Sequence, residues 1–364
     1  MRKSRVGGLL RLIGLVALML GLGLTASAQP AKAPAAQPAA TVPATPAGKA
    51  EVKIGMYIND IQSIDLHGYS FVADVYVWFR DKDPQIDPGA TFEWMNMFAP
   101  DDHVQTATYD KPQPQPDGSE YEVFRHQGPF AAKFSVKTFP FDAHNLTIEI
   151  EDKAWDSTRL VYVPDEVSIN PSVELPGFII GKPTLTVINR PYPTAFGDLS
   201  EPNPTPYSRA IVSIPISRPV MSGITKSLLP VWIVVLVAAA ALLLNPSHVE
   251  ARVGLSITAL LTLVALQLSA TSGLPDVGYL LMLDQIYLAS YGFVLLVVLL
   301  LILTTVKEDK RDILADGAEA LTKGGPTTAF LSILLYAAVI GVILFLNLES
   351  VPGPAPAITA AATP

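Results

Sequence analysis

One apolar stretch of this chain carries an unusual set of side chains. Between about residues 251 and 272 it holds Arg252, Gly254, Ser256, Thr258, Thr262, Gln267, Ser269, Thr271 and Ser272, with Glu250 just ahead of it. Gly254, Thr258, Leu261, Ala265, Leu268 and Ser272 recur every three or four residues, so a helix would place them on one face. That face is small or polar at its Glu250 end and apolar in the middle. Polar groups are costly against hydrocarbon and should face protein or water. Two arrangements satisfy them. The face can line a narrow wet path with an apolar constriction, or it can pack against other helices through small polar contacts. Periodicity leaves both open.

Other chemistry is thinner. Asp101 and Asp102 are adjacent acids of a kind that can hold calcium, but two carboxylates without further spacing are a weak signal. His67, His103, His126 and His144 are scattered, with no metal-ligand spacing; His67 and His144 are placed to sense pH near the end of the strand region. No nucleophile motif, HExxH or phosphate loop occurs, so neither an enzyme nor a cofactor is expected. With no cysteine, a disulfide scaffold is excluded.

The elements that must position these residues follow from composition. The chain has 364 residues, 50% of them hydrophobic and only 16% charged, with a net charge of −8. Soluble chains average about 25% charged residues, so this one is short of charge, and its acidity argues against nucleic acid as a partner. Arg2, Lys3 and Arg5, an apolar run from Leu9 to Leu24 and Ala26-Ser27-Ala28 read as a signal peptide over 1–28. Residues 29–50, rich in Ala and Pro, read as a disordered linker. Across 51–222 the pattern has period two: Phe71, Ala73, Val75, Val77 and Phe79 against Asp74, Tyr76, Trp78 and Arg80, and Leu146, Ile148 and Ile150 against Thr147, Glu149 and Glu151. With recurrent turn signals this predicts a β-sandwich.

A four-helix transmembrane domain is expected over 223–349, with apolar runs at about 225–244, 251–272, 280–305 and 328–347. Lys307, Lys310, Arg311 and Lys323 make the 306–326 loop cytoplasmic by the positive-inside rule. The sandwich and the C-terminus then share the outer side, which in a Gram-negative bacterium is the periplasm, with the spans in the inner membrane. Residues 350–364 read as a disordered tail.

Several motifs occur in a telling order. Phe139-Pro140-Phe141-Asp142 precedes a strand, Arg218-Pro219 leads into the first span, and Leu229-Pro230 lies inside it. Glu250-Ala251-Arg252-Val253-Gly254-Leu255-Ser256-Ile257-Thr258 opens the second span, and Gly273-Leu274-Pro275 follows it. Over about residues 51–347 the chain resembles the pentameric ligand-gated ion channels, the Cys-loop receptor superfamily, in prokaryotic form. Animal members carry cysteines where this chain has Ala132 and Leu146; bacterial members lack them too.

The resemblance implies a homopentamer around a central pore in membrane lipid, passing inorganic ions. Glu250 would form a carboxylate ring at the inner mouth and favour cations, although Ala251-Arg252-Val253 also resembles the anion-selective animal receptors. Gly254 and Thr258 would line the narrow inner part, with Leu261, Ala265 and Leu268 as the gate. Asp142 and Arg218 match an acid and a base at the domain junction, where Asp65, Pro275 and Asp276 are further coupling candidates. The ligand, a small molecule, proton or divalent cation, would bind between subunits. Candidates are Trp78, Arg80, Tyr121 and Arg125 on one side and Trp155, Tyr192, Phe196 and Tyr207 on the other. An aromatic cage favours amines, whereas Arg80 and Arg125 would favour a carboxylate. The competing expectation is a non-conducting sensor on a four-helix anchor, which has no need of Thr258, Thr262 and Ser269 in line.

Overall fold

The computed structural model describes residues 48–194, 197, 205–245, 247–308 and 325–348. The first part is a two-layer β-structure of strands β1 (Ala50–Asp65), β2 (Ser70–Asp81), β3 (Phe92–Trp94), β4 (Val104–Ala107), β5 (Gln113–Pro114), β6 (Glu120–Ala131), β7 (Ala143–Asp152), β8 (Leu160–Ile169), β9 (Ile179–Ile180), β10 (Thr184–Tyr192) and β11 (Thr205–Ser217). One sheet runs β4-β6-β2-β1-β8 with β5 beside β6; the other runs β10-β11-β7-β3 with β9 beside β11. All pairings are antiparallel except β1 with β8. Strand β1 begins at Ala50, inside the stretch read as linker.

Period-two burial builds the sandwich core. From β2 it takes Phe71, Ala73, Val75, Val77 and Phe79, from β7 Leu146, Ile148 and Ile150, and from β11 Ala210, Val212, Ile214 and Ile216. The inward phase also carries polar residues. Asp81 continues the inward set of β2 and is buried, and His126 does the same on β6. One expectation fails. Glu151, assigned to the wet face of β7, is only 2% exposed, because Arg209 and Tyr192 cover it.

Four helices follow, each long and apolar enough to cross a membrane: α1 (Val220–Ala240), α2 (Val249–Thr271), α3 (Met282–Glu308) and α4 (Pro326–Leu348). Helix α1 starts five residues earlier than the apolar run suggested. Its turn Ile224–Leu228 is π-helical, and Leu229 N–H donates to the Ile224 carbonyl. The cause is Pro230, which has no N–H and whose ring crowds the carbonyl four residues back; a wider turn absorbs that. The helices have their own core, centred on Val231, Val235, Leu263, Ile286, Tyr287 and Val297.

The two cores exchange residues. Leu274 and Leu281, from the α2–α3 loop, belong to the sandwich core, while Phe141 belongs to the helical core and Phe139 packs against both. Met282 N–H donates to the Lys137 carbonyl at 2.9 Å. Gly223 of α1 sits under the Phe139–Asp142 turn, where a Cβ would lie 2.9 Å from Phe141 Cε1 and 3.0 Å from the Pro140 carbonyl. A larger residue there would push the helix away from the turn.

Candidate functional site

Helix α2 has one buried side and one bare side. Arg252, Ser256, Ala259 and Leu263 step by three or four and are buried against α1 and α3. Gly254, Thr258, Leu261, Ala265, Leu268 and Ser272 are all exposed, Leu261 at 65% and Leu268 at 68%. Only 17% of the span's central window is buried, against 33%, 44% and 28% for α1, α3 and α4. In a single copy α2 is therefore the least covered helix.

Arg252 sets that orientation. It is 1% exposed; Nε donates to the Ala241 carbonyl at 3.2 Å and Nη2 to Thr304 Oγ1 at 3.2 Å. These partners lie at the end of α1 and on α3. The arginine therefore points into the protein, away from the bare face. Glu250 is exposed in the first turn, where the helix dipole favours a carboxylate. Several polar side chains satisfy themselves on the helix backbone: Thr262 on Thr258 O, Thr271 on Gln267 O and Ser272 on Ser269 O. Gln267 is tied to α3 by Tyr291, whose hydroxyl donates to Oε1 at 2.6 Å.

Asp142 is fully buried at the junction of the two parts. Arg218 Nε donates to its Oδ1 at 2.8 Å, and His144 Nε2 meets its Oδ2 at 2.6 Å. Arg218 also lies over Phe178 at 4.5 Å and Phe139 at 5.1 Å. Burial pushes the Asp142 carboxyl up, but the His144 hydrogen bond and the Arg218 charge outweigh it, and the group lies below its ordinary value. Asp65 takes a different place: its Oδ1 accepts from Gly68 N–H at 2.9 Å and caps the β1–β2 turn. The third member of the Asp142–Arg218 group is His144. The sandwich meets the α2–α3 loop through His67, whose Nδ1 lies 3.2 Å from the Leu274 carbonyl. Pro275 is buried there and Asp276 exposed.

The outward candidates fall on two opposite sheets. On β2, Trp78 Nε1 donates to Asp165 Oδ2 at 2.9 Å, and Arg80 reaches both oxygens of Asp165 at 2.7 Å. Burial raises the Asp165 carboxyl; hydrogen bonds from Trp78 and Arg80 bring it below its usual value. Tyr121 stands opposite Arg80 in register. Arg125 is paired with Asp74 at 2.7 Å and stacks on Tyr76 at 5.6 Å.

On the other sheet, Arg209 bonds Glu149, Glu151 and the Tyr192 hydroxyl, and Tyr192 packs on Tyr207 with centroids 5.8 Å apart. Trp155 is half-buried, with Arg159 over its ring at 5.3 Å. Phe196 lies outside the described residues. The structure thus groups Trp78, Arg80 and Tyr121, separately groups Tyr192 and Tyr207, and leaves Arg125 in its own pair. Asp165 and Arg209 escaped the sequence reading because their partners are distant in the chain.

Asp101 and Asp102 sit exposed on a 3-10 turn. Among the described residues no group of three metal-ligating side chains forms. The histidines are less scattered than the sequence suggested: His103 and His126 are in contact.

No family model matches the chain. It is 24% identical over 191 residues to the gamma-aminobutyric acid receptor subunit alpha-2 of Bos taurus, covering 50% of this chain and 39% of that one. The Homo sapiens protein of the same description gives the same identity and coverage. A gamma-aminobutyric acid receptor subunit beta-like protein of Drosophila melanogaster is 26% identical over 182 residues, covering 49% of this chain and 34% of that one. The match thus spans about two fifths or less of these relatives, which are receptor subunits and not enzymes.

Proposed function

We propose that this chain is a subunit of a ligand-gated ion channel, five copies of which surround a pore lined by the bare face of α2. The observation that carries this reading is the division of α2 into a face anchored by Arg252 and an uncovered face from Gly254 to Ser272. A helix this bare needs neighbours, and its polar groups suit water better than lipid. Leu261 and Leu268 supply an apolar constriction, and Glu250 an inner ring of carboxylates. With Arg252 turned inward, Glu250 decides selectivity, and cations are favoured. The prokaryotic setting, the inner membrane and the periplasmic sandwich belong to the same reading.

The ligand site lies between copies, because its two candidate halves stand on opposite sheets of one copy. Arg80 and Arg125 already hold carboxylates, which weakens the case for an anionic ligand. The Tyr192 side sets Glu149 and Glu151 against one arginine, so an ammonium group is the better fit.

The test is the reversal potential of Leu261→Ala in a bilayer under a salt gradient. Removing the constriction should give current without ligand, at a cation-side potential. An anion-side potential would overturn the selectivity assignment. No current from a verified pentamer would overturn the channel and favour a non-conducting receptor.

A further inference from the structure

Strand β8 does not run straight into β9. Residues 170–178 between them form a loop built on two turns. Val173 N–H donates to the Asn170 carbonyl at 3.1 Å, and Phe178 N–H to the Leu175 carbonyl at 3.0 Å. The second turn reads Leu175-Pro176-Gly177-Phe178, with Gly177 at a φ of +87°. Proline followed by a left-handed glycine is the signature of a type II turn. Both ends of the loop are pinned to neighbouring strands. Asn170 N–H donates to the Ile58 carbonyl at 2.8 Å and its Nδ2 to the Asn59 carbonyl at 3.2 Å, while Gly181 N–H donates to the Pro215 carbonyl at 2.7 Å. Pro171 and Pro176 fix two backbone angles more. A loop held in this way spends little of a ligand's binding energy on being ordered.

The loop encloses a cavity of about 500 Å³, within the ~300–1,000 Å³ that small-molecule sites span. Ile169, Val173, Leu175, Phe178 and Ile180 give it an apolar wall, and Glu174 is the charged residue of its lining. Ile169 and Leu175 are buried, whereas Glu174 is exposed. Among the described residues no cation pairs with Glu174. Arg218 lies over the Phe178 ring at 4.5 Å, but its charge is met by Asp142 at 2.8 Å. The cavity therefore offers hydrocarbon contact and one uncompensated carboxylate. It is also separate from the Trp78, Arg80 and Asp165 group. Ile169 lies four residues along β8 from Asp165, roughly 13 Å at the rise of a strand.

We propose that this loop cavity is a binding site for a small soluble amine, its hydrocarbon part among Ile169, Leu175 and Phe178 and its ammonium group on the Glu174 carboxylate. One copy of the chain supplies the whole lining, so the site does not depend on the channel reading or on assembly. Phe178 is a wall shared with the domain junction, because the same ring carries Arg218.

The chain has no cysteine, so Ser172→Cys, at an exposed position on the loop, provides a unique thiol. A trifluoromethyl tag on it, read by fluorine NMR of the full chain in amphipol, reports on the cavity. Benzylamine should shift the tag saturably and bind about fivefold more tightly than benzyl alcohol, the worth of one exposed ion pair. Benzoate should give no saturable shift. Glu174→Gln should bring the amine down to the alcohol, and Val173→Trp, which fills the cavity, should remove both responses. Tyr192→Ala, on the opposite sheet, should change nothing. The absence of a saturable shift with benzylamine would overturn the proposal, as would an amine preference that survives Glu174→Gln. Loss of the shift in Tyr192→Ala would overturn it too, by moving the amine to the Tyr192 side.

Discussion

Arg252 and Glu250 stand two residues apart and face opposite surroundings, and helical phase alone separates them. Residues 252, 256, 259 and 263 share the packed side, while 250, 254, 258 and 261 share the bare one. A charge inside an apolar bundle is tolerated when it is hydrogen-bonded, and Arg252 donates from Nε to Ala241 and from Nη2 to Thr304. Removing it leaves those acceptors dry and opens a hole. Each hydrogen bond from a charged group contributes about 1.5–3 kcal/mol, so Arg252→Ala should lower the thermal midpoint of the solubilised protein and its oligomer yield. Glu250→Gln should leave both unchanged and move the reversal potential of the Leu261→Ala background toward zero. A shift in selectivity with Arg252→Lys but none with Glu250→Gln would reverse these assignments. At this scale the sequence was most readable for the stripe, because six spaced residues on one helix need no long-range information. Arg252's partners at the end of α1 and on α3 were not readable, because nothing local in the sequence marks them.

At the scale of elements, cross-strand pairing creates charges that no local pattern announces. Asp81 of β2 stands directly opposite Glu120 of β6. Burial pushes its carboxyl up to about 6, with Glu120, Asp83 and Asp87 adding to the shift. Like charges in register destabilise a sheet. A carboxyl raised in the fold adds stability while protonated and loses it as pH rises from the unfolded value to about 6. Asp81→Asn should therefore raise the thermal midpoint by about 4 °C at neutral pH and leave it unchanged below pH ~4. Asp142 has the opposite sign. Its folded value is depressed, so its contribution is present above the ordinary carboxylate value and lost in stronger acid. Arg218→Ala would leave that carboxylate buried with only His144, at a cost of about 3–5 kcal/mol; chemical denaturation at neutral pH would measure it. The strands and helices themselves were legible, since period two and long apolar runs are local signals. Glu151 was misplaced because an outward residue can still be covered.

For the whole molecule, the uncovered face of α2 and the opposed half-sites of the sandwich both call for more copies. Native mass spectrometry of the detergent-solubilised chain should give one closed species of five subunits; a monomer at micromolar concentration would contradict that. The traded residues at the domain junction reach beyond assembly. Because Leu274 and Leu281 complete the sandwich, and Phe141 completes the helical core, neither half is a module with a clean seam. A sandwich severed after Ser217 would expose the apolar hollow that those leucines fill and should aggregate. A chimera that borrows this sandwich for another set of helices must bring the 274–281 loop with it. Descent with modification would meet the same constraint, so the two halves should change together at these positions.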